Sequence, residues 1–237
     1  MATKRQKKKK QAESKEFYEN PEVLAERISK TEEFLEKNKT LSLSIFIGLG
    51  LVIVLFFVYG YYMDNQNKLA QDDMFQAVFY FEQDSLDLAL NGDGNNYGFK
   101  DIVEEYSGTE SANLANFYSG VIHLKKGNSK VAILYLEDFS TSDLLVQARS
   151  YSLIGDANME LGEFEKAVEY YEKAADHRAN EYFSPIYLKK AAVAYEKLGQ
   201  WEGAKSCYQQ IMEDYKGSTE VQAAKKNLAR LNAKTAS

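Results

Sequence analysis

The feature that most constrains this chain is an uncharged run, Thr40 to Met63, reading TLSLSIFIGLGLVIVLFFVYGYYM. Its 24 residues make a helix about 36 Å long, against a hydrocarbon thickness of about 30 Å. A core helix of a globular domain keeps a polar side, and this run has none. The run therefore reads as a transmembrane helix, 40–63. Tyr59, Tyr61 and Tyr62 gather at its C-terminal end, where amphipathic rings favour the membrane–water boundary. Residues 1–39 carry eleven Lys/Arg and eight Glu, whereas Lys68 is the only base soon after the run. Basic residues stay on the cytoplasmic side, so the N-terminus is expected there and residues 64–237 across the membrane. The run is too long, and its end too bulky, to read as a cleaved signal peptide. The eight Glu of the leader argue against a mitochondrial presequence.

Residues 1–19, with Lys4–Lys10 reading KRQKKKK, have too little apolar content to fold and read as a disordered basic tail. Such a tail fixes topology and leans on anionic lipid; ribosomal RNA or an acidic cytoplasmic protein is the sharper alternative. Asn20-Pro21-Glu22 has the chemistry of a helix start. Over 20–39, Leu24, Ile28 and Leu35 recur at helical spacing. This cytoplasmic amphipathic helix is expected to face the lipid bilayer or a membrane partner.

Residues 64–237 hold 18 Lys/Arg against 27 Asp/Glu. That acidic balance removes the means of neutralising phosphates, so no nucleic acid is expected on this part. The whole chain has only two prolines, and its composition suits an all-α fold. Gly127, Gly162 and Gly199 lie 35 and 37 residues apart, each between two amphipathic stretches. Around the second, Tyr151, Ile154, Gly155, Leu161, Gly162, Phe164, Ala167, Tyr171 and Ala174 recur at fixed offsets. Gly155 and Ala167 are small where two helices must approach; Tyr171 is large where a gap must be filled. The next unit keeps Ala192, Tyr195, Gly199, Trp201, Ala204 and Tyr208; the preceding one keeps Gly120, Gly127, Ala132 and Phe139. A more degenerate first unit is expected from a helix over 66–90, a loop at 91–96 and a short helix to Tyr106. The segment 102–115, IVEEYSGTESANLA, is echoed by 211–224, IMEDYKGSTEVQAA. A solvent-faced closing helix is expected over 218–233.

These offsets resemble the tetratricopeptide repeat over residues 97–233. That resemblance implies an α-solenoid of helical hairpins whose first helices line a protein-binding face. The residues assigned to that face are Leu114, Phe117, Val121, Arg149, Ser152, Met159, Ile186, Lys189 and Val193, mixed apolar and basic, suited to an extended or helical polypeptide. Repeat domains that clamp a C-terminal carboxylate use Lys and Asn where this chain has Ser152 and Asp156.

Signs of catalysis are absent from the sequence. His123 and His177 stand apart, Cys207 is the one cysteine, and no nucleotide-binding or hydrolase motif occurs. No cofactor and no enzymatic activity are expected. Cys207, among Ala204, Tyr208 and Ile211, reads as a packing residue. The stretch Asp93–Glu104 has a calcium-loop spacing, but Tyr97 stands at a ligand position. It reads as an Asx/Gly turn.

Basic tail, single anchor and repeat domain together resemble the ancillary SecYEG translocon subunit (YfgM-like) family, in the form found in Bacteroidota. The resemblance implies a bacterial inner-membrane protein with a periplasmic repeat domain. It implies partnership with the SecYEG translocon and a periplasmic prolyl-isomerase-type chaperone, and contact with unfolded or secreted polypeptides. An envelope-assembly or cell-division scaffold independent of Sec is the alternative.

Overall fold

The computed structural model describes residues 36–235 and the isolated helical positions Ala25, Ser29 and Glu33. The basic tail 1–19 and the tail candidates Leu24, Ile28 and Leu35 lie outside the described residues. Among the described residues there are helices and turns and no strand. The chain divides into two units, 1–62 and 63–237.

Helix α1, Lys39–Glu82, is 44 residues long. Asp64–Asn67 lies inside it, so the helix does not end where the apolar run ends. Within the first unit its side chains are exposed on every side, Phe56 and Leu55 among them. It is the one helix among the described residues long and apolar enough to cross a membrane.

In the second unit, α1 buries Ala70, Met74 and Ala77. It stops earlier than the 66–90 expectation. Asp84 takes a left-handed φ of 57°, and Ser85 N–H donates back to Tyr80 O at 2.9 Å, which closes the helix. Helix α2, Leu86–Asn91, follows, and then α3, Phe99–Glu105. The hairpins come next: α4 Glu110–Lys125 with α5 Ser129–Asp138, α6 Leu144–Leu161 with α7 Phe164–Asp176, and α8 Ser184–Lys197 with α9 Trp201–Asp214. Helix α10, Val221–Thr235, packs on α9. It starts three residues later than expected, because Ser218 N–H bonds Tyr215 O and Ser218 Oγ accepts from Glu220 N–H, a turn that occupies those residues. The helix buries Ala224 and Leu231, and Val221 and Leu228 are half-buried against the same cluster.

Local chemistry sets the helix ends. Thr109 caps α4 by accepting from Ala112 N–H, and Asp143 caps α6 by accepting from Leu145 and Val146 N–H. These side chains satisfy amides that the first turn leaves without partners. Gly127, Gly162 and Gly199 all have φ between 72° and 75°. This left-handed conformation lets the chain reverse in two or three residues, and only glycine adopts it without a steric cost.

Packing within a hairpin relies on a small residue facing a large one. A β-carbon placed on Gly155 would lie 2.5 Å from the ring of Tyr171, and one on Gly120 would lie 2.5 Å from Leu136. In the third hairpin the corresponding positions are Ala192 and Tyr208, both buried. A continuous buried cluster runs from Ala148 to Leu231 through Tyr171, Tyr187 and Tyr208.

Alternating helix direction puts the turns on two edges of the second unit. Residues 83–85, 126–128, 162–163 and 198–200 form one edge. Lys125 bonds Asp84 there at 2.8 Å, and Ser129 bonds Glu160. The turns 106–109, 139–143, 177–183 and 215–220 form the other. Asn113 exchanges two hydrogen bonds with Ser140 there, and the Glu181 carboxylate abuts Gly217. Met63 belongs to this second edge: Asn67 Oδ1 accepts from Ser111 N–H at 2.9 Å, and the Met63 side chain reaches Gly108.

Two glycine substitutions separate packing from backbone conformation. Gly155→Ala is expected to cost about 1–3 kcal/mol by overpacking, and Tyr171→Leu in the same chain should recover much of that loss. Gly162→Ala meets no neighbour and should cost roughly 1–2 kcal/mol from its left-handed φ alone, with no rescue by Tyr171→Leu. Denaturant unfolding followed by circular dichroism measures all four variants.

Candidate protein-binding face

The candidate residues lie on α4, α6 and α8, the first helices of the three hairpins. The structure divides them by accessibility. Arg149 and Val193 are exposed. Arg149 makes no ion pair among the described residues, and its charge acts on the neighbouring Tyr187 hydroxyl. Met159 and Ile186 are half-buried against the main cluster. Phe117 and Val121 are half-buried against Leu136, Leu153 and Ile154, and Leu114 against the cluster around Phe99. The Phe117 ring also meets Phe139, with centroids 5.1 Å apart.

Two assignments change. Ser152 is fully buried, so it offers nothing to a partner; it sits beneath Lys190, whose Nζ donates to Ser152 Oγ at 3.1 Å. Lys189 is not a free cation, because Glu220 at the start of the closing helix pairs with it. Periodicity placed both residues on the inner stripe of their helices. It carried no information about which neighbouring helix would cover that stripe.

Sequence reasoning named Asp156 and Tyr171 but missed the polar link that they form with Lys190 between α6, α7 and α8. Lys190 Nζ donates to both oxygens of Asp156 at 2.8 and 2.7 Å. Asp156 also accepts from the Tyr171 hydroxyl at 2.7 Å. Lys190 lies over the Tyr171 ring, 5.5 Å from its centroid. The only sequence signal was the adjacent pair Lys189-Lys190, and either could have faced α6. A second cation, Lys173, sits 4.2 Å from the Tyr151 ring centroid. Of the two candidate cations, Lys189 is paired with Glu220 and Arg149 is exposed.

The remaining chemistry is structural. Burial pushes the Cys207 thiol up to about 12, which disfavours the nucleophilic thiolate. Cys207 therefore acts as a packing residue. In the 92–98 loop, Asp93 Oδ1 accepts from Asn95 and Asn96 N–H at 2.8 and 2.7 Å. Its Oδ2 accepts from the Tyr80 hydroxyl at 2.7 Å and Asn96 Nδ2 at 2.9 Å. Asp101 accepts from Gly98 N–H. Both carboxylates are committed to internal donors, as an Asx turn requires, and the Tyr80 hydroxyl helps hold the Asp93 carboxyl well below the usual range.

Residues 148–179 match one tetratricopeptide repeat family, and residues 188–218 match another. The chain carries tetratricopeptide repeats. The first match frames Gly155, Gly162, Ala167 and Tyr171, and so includes the close Gly155–Tyr171 contact. The second frames Ala192, Gly199, Ala204 and Tyr208. Repeats of this kind are protein-interaction modules. A search of curated proteins gives no match.

Tyrosine–carboxylate pairing makes the repeats sensitive to alkali. Burial and the Glu137 bond push the Tyr170 hydroxyl up to about 12. Burial and the Asp156, Glu172 and Glu196 partners push Tyr171, Tyr195 and Tyr208 higher still. In the unfolded chain these groups lose their protons near pH ~10, and the thiol nearer ~8.5. The raised folded values mean that the folded state holds the protons more tightly. Their contribution to stability is complete below the unfolded pKa values and is lost as pH rises through the folded ones. The melting temperature should fall steadily above pH ~9, and a flat profile to pH ~12 would contradict this assignment.

Proposed function

We propose that the chain is a membrane-anchored, non-enzymatic scaffold that holds protein partners on the exposed face of α4, α6 and α8. The observation that carries this reading is the joining of two features in one chain. One is a 24-residue run without charge and with exposed side chains all round. The other is a set of tetratricopeptide repeats.

In this reading the N-terminus is cytoplasmic and the repeats lie in the periplasm of a bacterial inner membrane. Eleven basic residues before the run support that direction. The partners are the SecYEG translocon and a periplasmic prolyl-isomerase-type chaperone, with emerging secreted chains passing between them. Leu24, Ile28 and Leu35 give the cytoplasmic side a second contact, with lipid or with the translocon. The resemblance in architecture supports this partner set, and the acidic balance of 64–237 turns it away from nucleic acid.

Crosslinking in cells followed by mass spectrometry tests the partners. Recovery of SecY and a periplasmic isomerase is the expected result. Division or outer-membrane assembly proteins without Sec would favour the envelope scaffold instead. Protease added to spheroplasts should digest 64–237; full protection would refute the direction. The double substitution Arg149→Glu/Val193→Asp should weaken partner capture about tenfold, equivalent to roughly 1.4 kcal/mol, without changing the melting temperature.

A further inference from the structure

The repeat unit distributes its exposed apolar side chains unequally between its two edges. The turns at 83–85, 126–128, 162–163 and 198–200 present no exposed large apolar residue, and the first such residues beyond them are Leu88 and Val131. The edge that carries Met63 does present such residues. Leu144 and Leu145 open α6 directly after the 139–143 turn, and Tyr182 and Phe183 close the 177–183 turn, all four exposed. Tyr182, at 81%, is more accessible than any large apolar side chain of the membrane run, where Tyr61 reaches 79%.

These side chains are held in place. Asp143 Oδ1 accepts from Leu145 and Val146 N–H. Asn180 Oδ1 accepts from Tyr182 and Phe183 N–H at 3.1 and 2.9 Å. Ordered backbone thus projects leucine and aromatic side chains into solvent from two successive turns of one edge. The charges in the turns of this edge are Asp143, Arg178, Glu181, Lys216 and Glu220; Glu220 is paired with Lys189, which leaves two of each sign. An acidic or basic partner would find no field to match. The chemistry that fits is the boundary layer of a lipid bilayer, where tyrosine and phenylalanine favour the zone between water and acyl chains.

We propose that this edge rests on the lipid surface, with Leu144, Leu145, Tyr182 and Phe183 entering the interfacial layer. The inference rests on the anchor reading above. Its further support is continuity within the second unit. Met63, where the chain leaves the apolar run, sits against Gly108 on the same edge. A repeat unit held in this way has its opposite edge, with its polar glycine turns, turned to solvent.

The test uses the full-length chain reconstituted into phosphatidylcholine vesicles at high lipid-to-protein ratio. Cys207 is buried, so single substitutions Tyr182→Cys, Asn128→Cys and Phe56→Cys can each be labelled with an environment-sensitive fluorophore. Lipids bearing a nitroxide in the headgroup or mid-chain act as quenchers. The label at Tyr182→Cys is expected to shift to the blue and lose emission to the headgroup nitroxide. At Asn128→Cys, on the opposite edge, neither change is expected. At Phe56→Cys the mid-chain nitroxide should quench. High salt should leave all three patterns unchanged, because the contact is apolar. Equal water exposure at Tyr182→Cys and Asn128→Cys, with Phe56→Cys quenched, overturns the edge contact and leaves the anchor standing. Absence of quenching at Phe56→Cys removes the anchor reading and this inference with it. A blue shift at Tyr182→Cys that grows with protein density but ignores nitroxide lipid assigns the edge to a second copy and also overturns the proposal.

Discussion

The repeat unit depends on the close approach of paired helices at a few small residues. Gly120 admits Leu136, and Gly155 admits the Tyr171 ring so closely that no β-carbon fits between them. Close-packed interiors tolerate such contacts only when both partners keep their size. Once Tyr171 is seated, its hydroxyl reaches Asp156, and Asp156 in turn receives Lys190 from the next hairpin. One steric concession on α6 therefore determines contacts on α7 and α8. The same logic places Tyr208 against α8, where its hydroxyl meets Glu196, which also holds Arg230 of the closing helix.

These links account for two compositional features together. The chain has 17 tyrosines and an acidic balance over residues 64–237. Tyr170 with Glu137, Tyr171 with Asp156, Tyr195 with Glu172 and Tyr208 with Glu196 are hydroxyl-to-carboxylate bonds between helices, and Tyr106, just past α3, makes the same bond to Asp73 on α1. Carboxylates can thus be partnered at helix interfaces without a matching number of lysines. Hydrogen bonds to a charged acceptor are stronger than neutral ones.

Much of this architecture was legible in the sequence. The helix long and apolar enough to cross a membrane followed from the length of the run and its absence of charge. The hairpins followed from glycines at regular separations and from small and large residues at fixed offsets. The 66–90 expectation overran because periodicity continues through Gln83–Ser85, while a left-handed Asp84 ends the helix there. Periodicity gave the candidate stripe but not which of its residues are covered. Ser152 and Lys189 lie on the stripe, but each is covered by a residue remote in sequence: Lys190 on α8 over Ser152, Glu220 beside α10 over Lys189.

The sequence by itself determined what depends on near neighbours along the chain. That includes the apolar run, the helix ends at Thr109, Asp143 and the three glycine turns, and the alternation of small and large positions. Each follows from interactions spanning a few residues, and a local pattern is sufficient to specify them. Tertiary structure alone decided which lysine reaches Asp156, which candidate residues remain open, and that Leu144, Leu145, Tyr182 and Phe183 share one edge with Met63. Those outcomes depend on how one helix registers against the next. That register is fixed by the fit of side chains far apart in the chain, which periodicity does not encode.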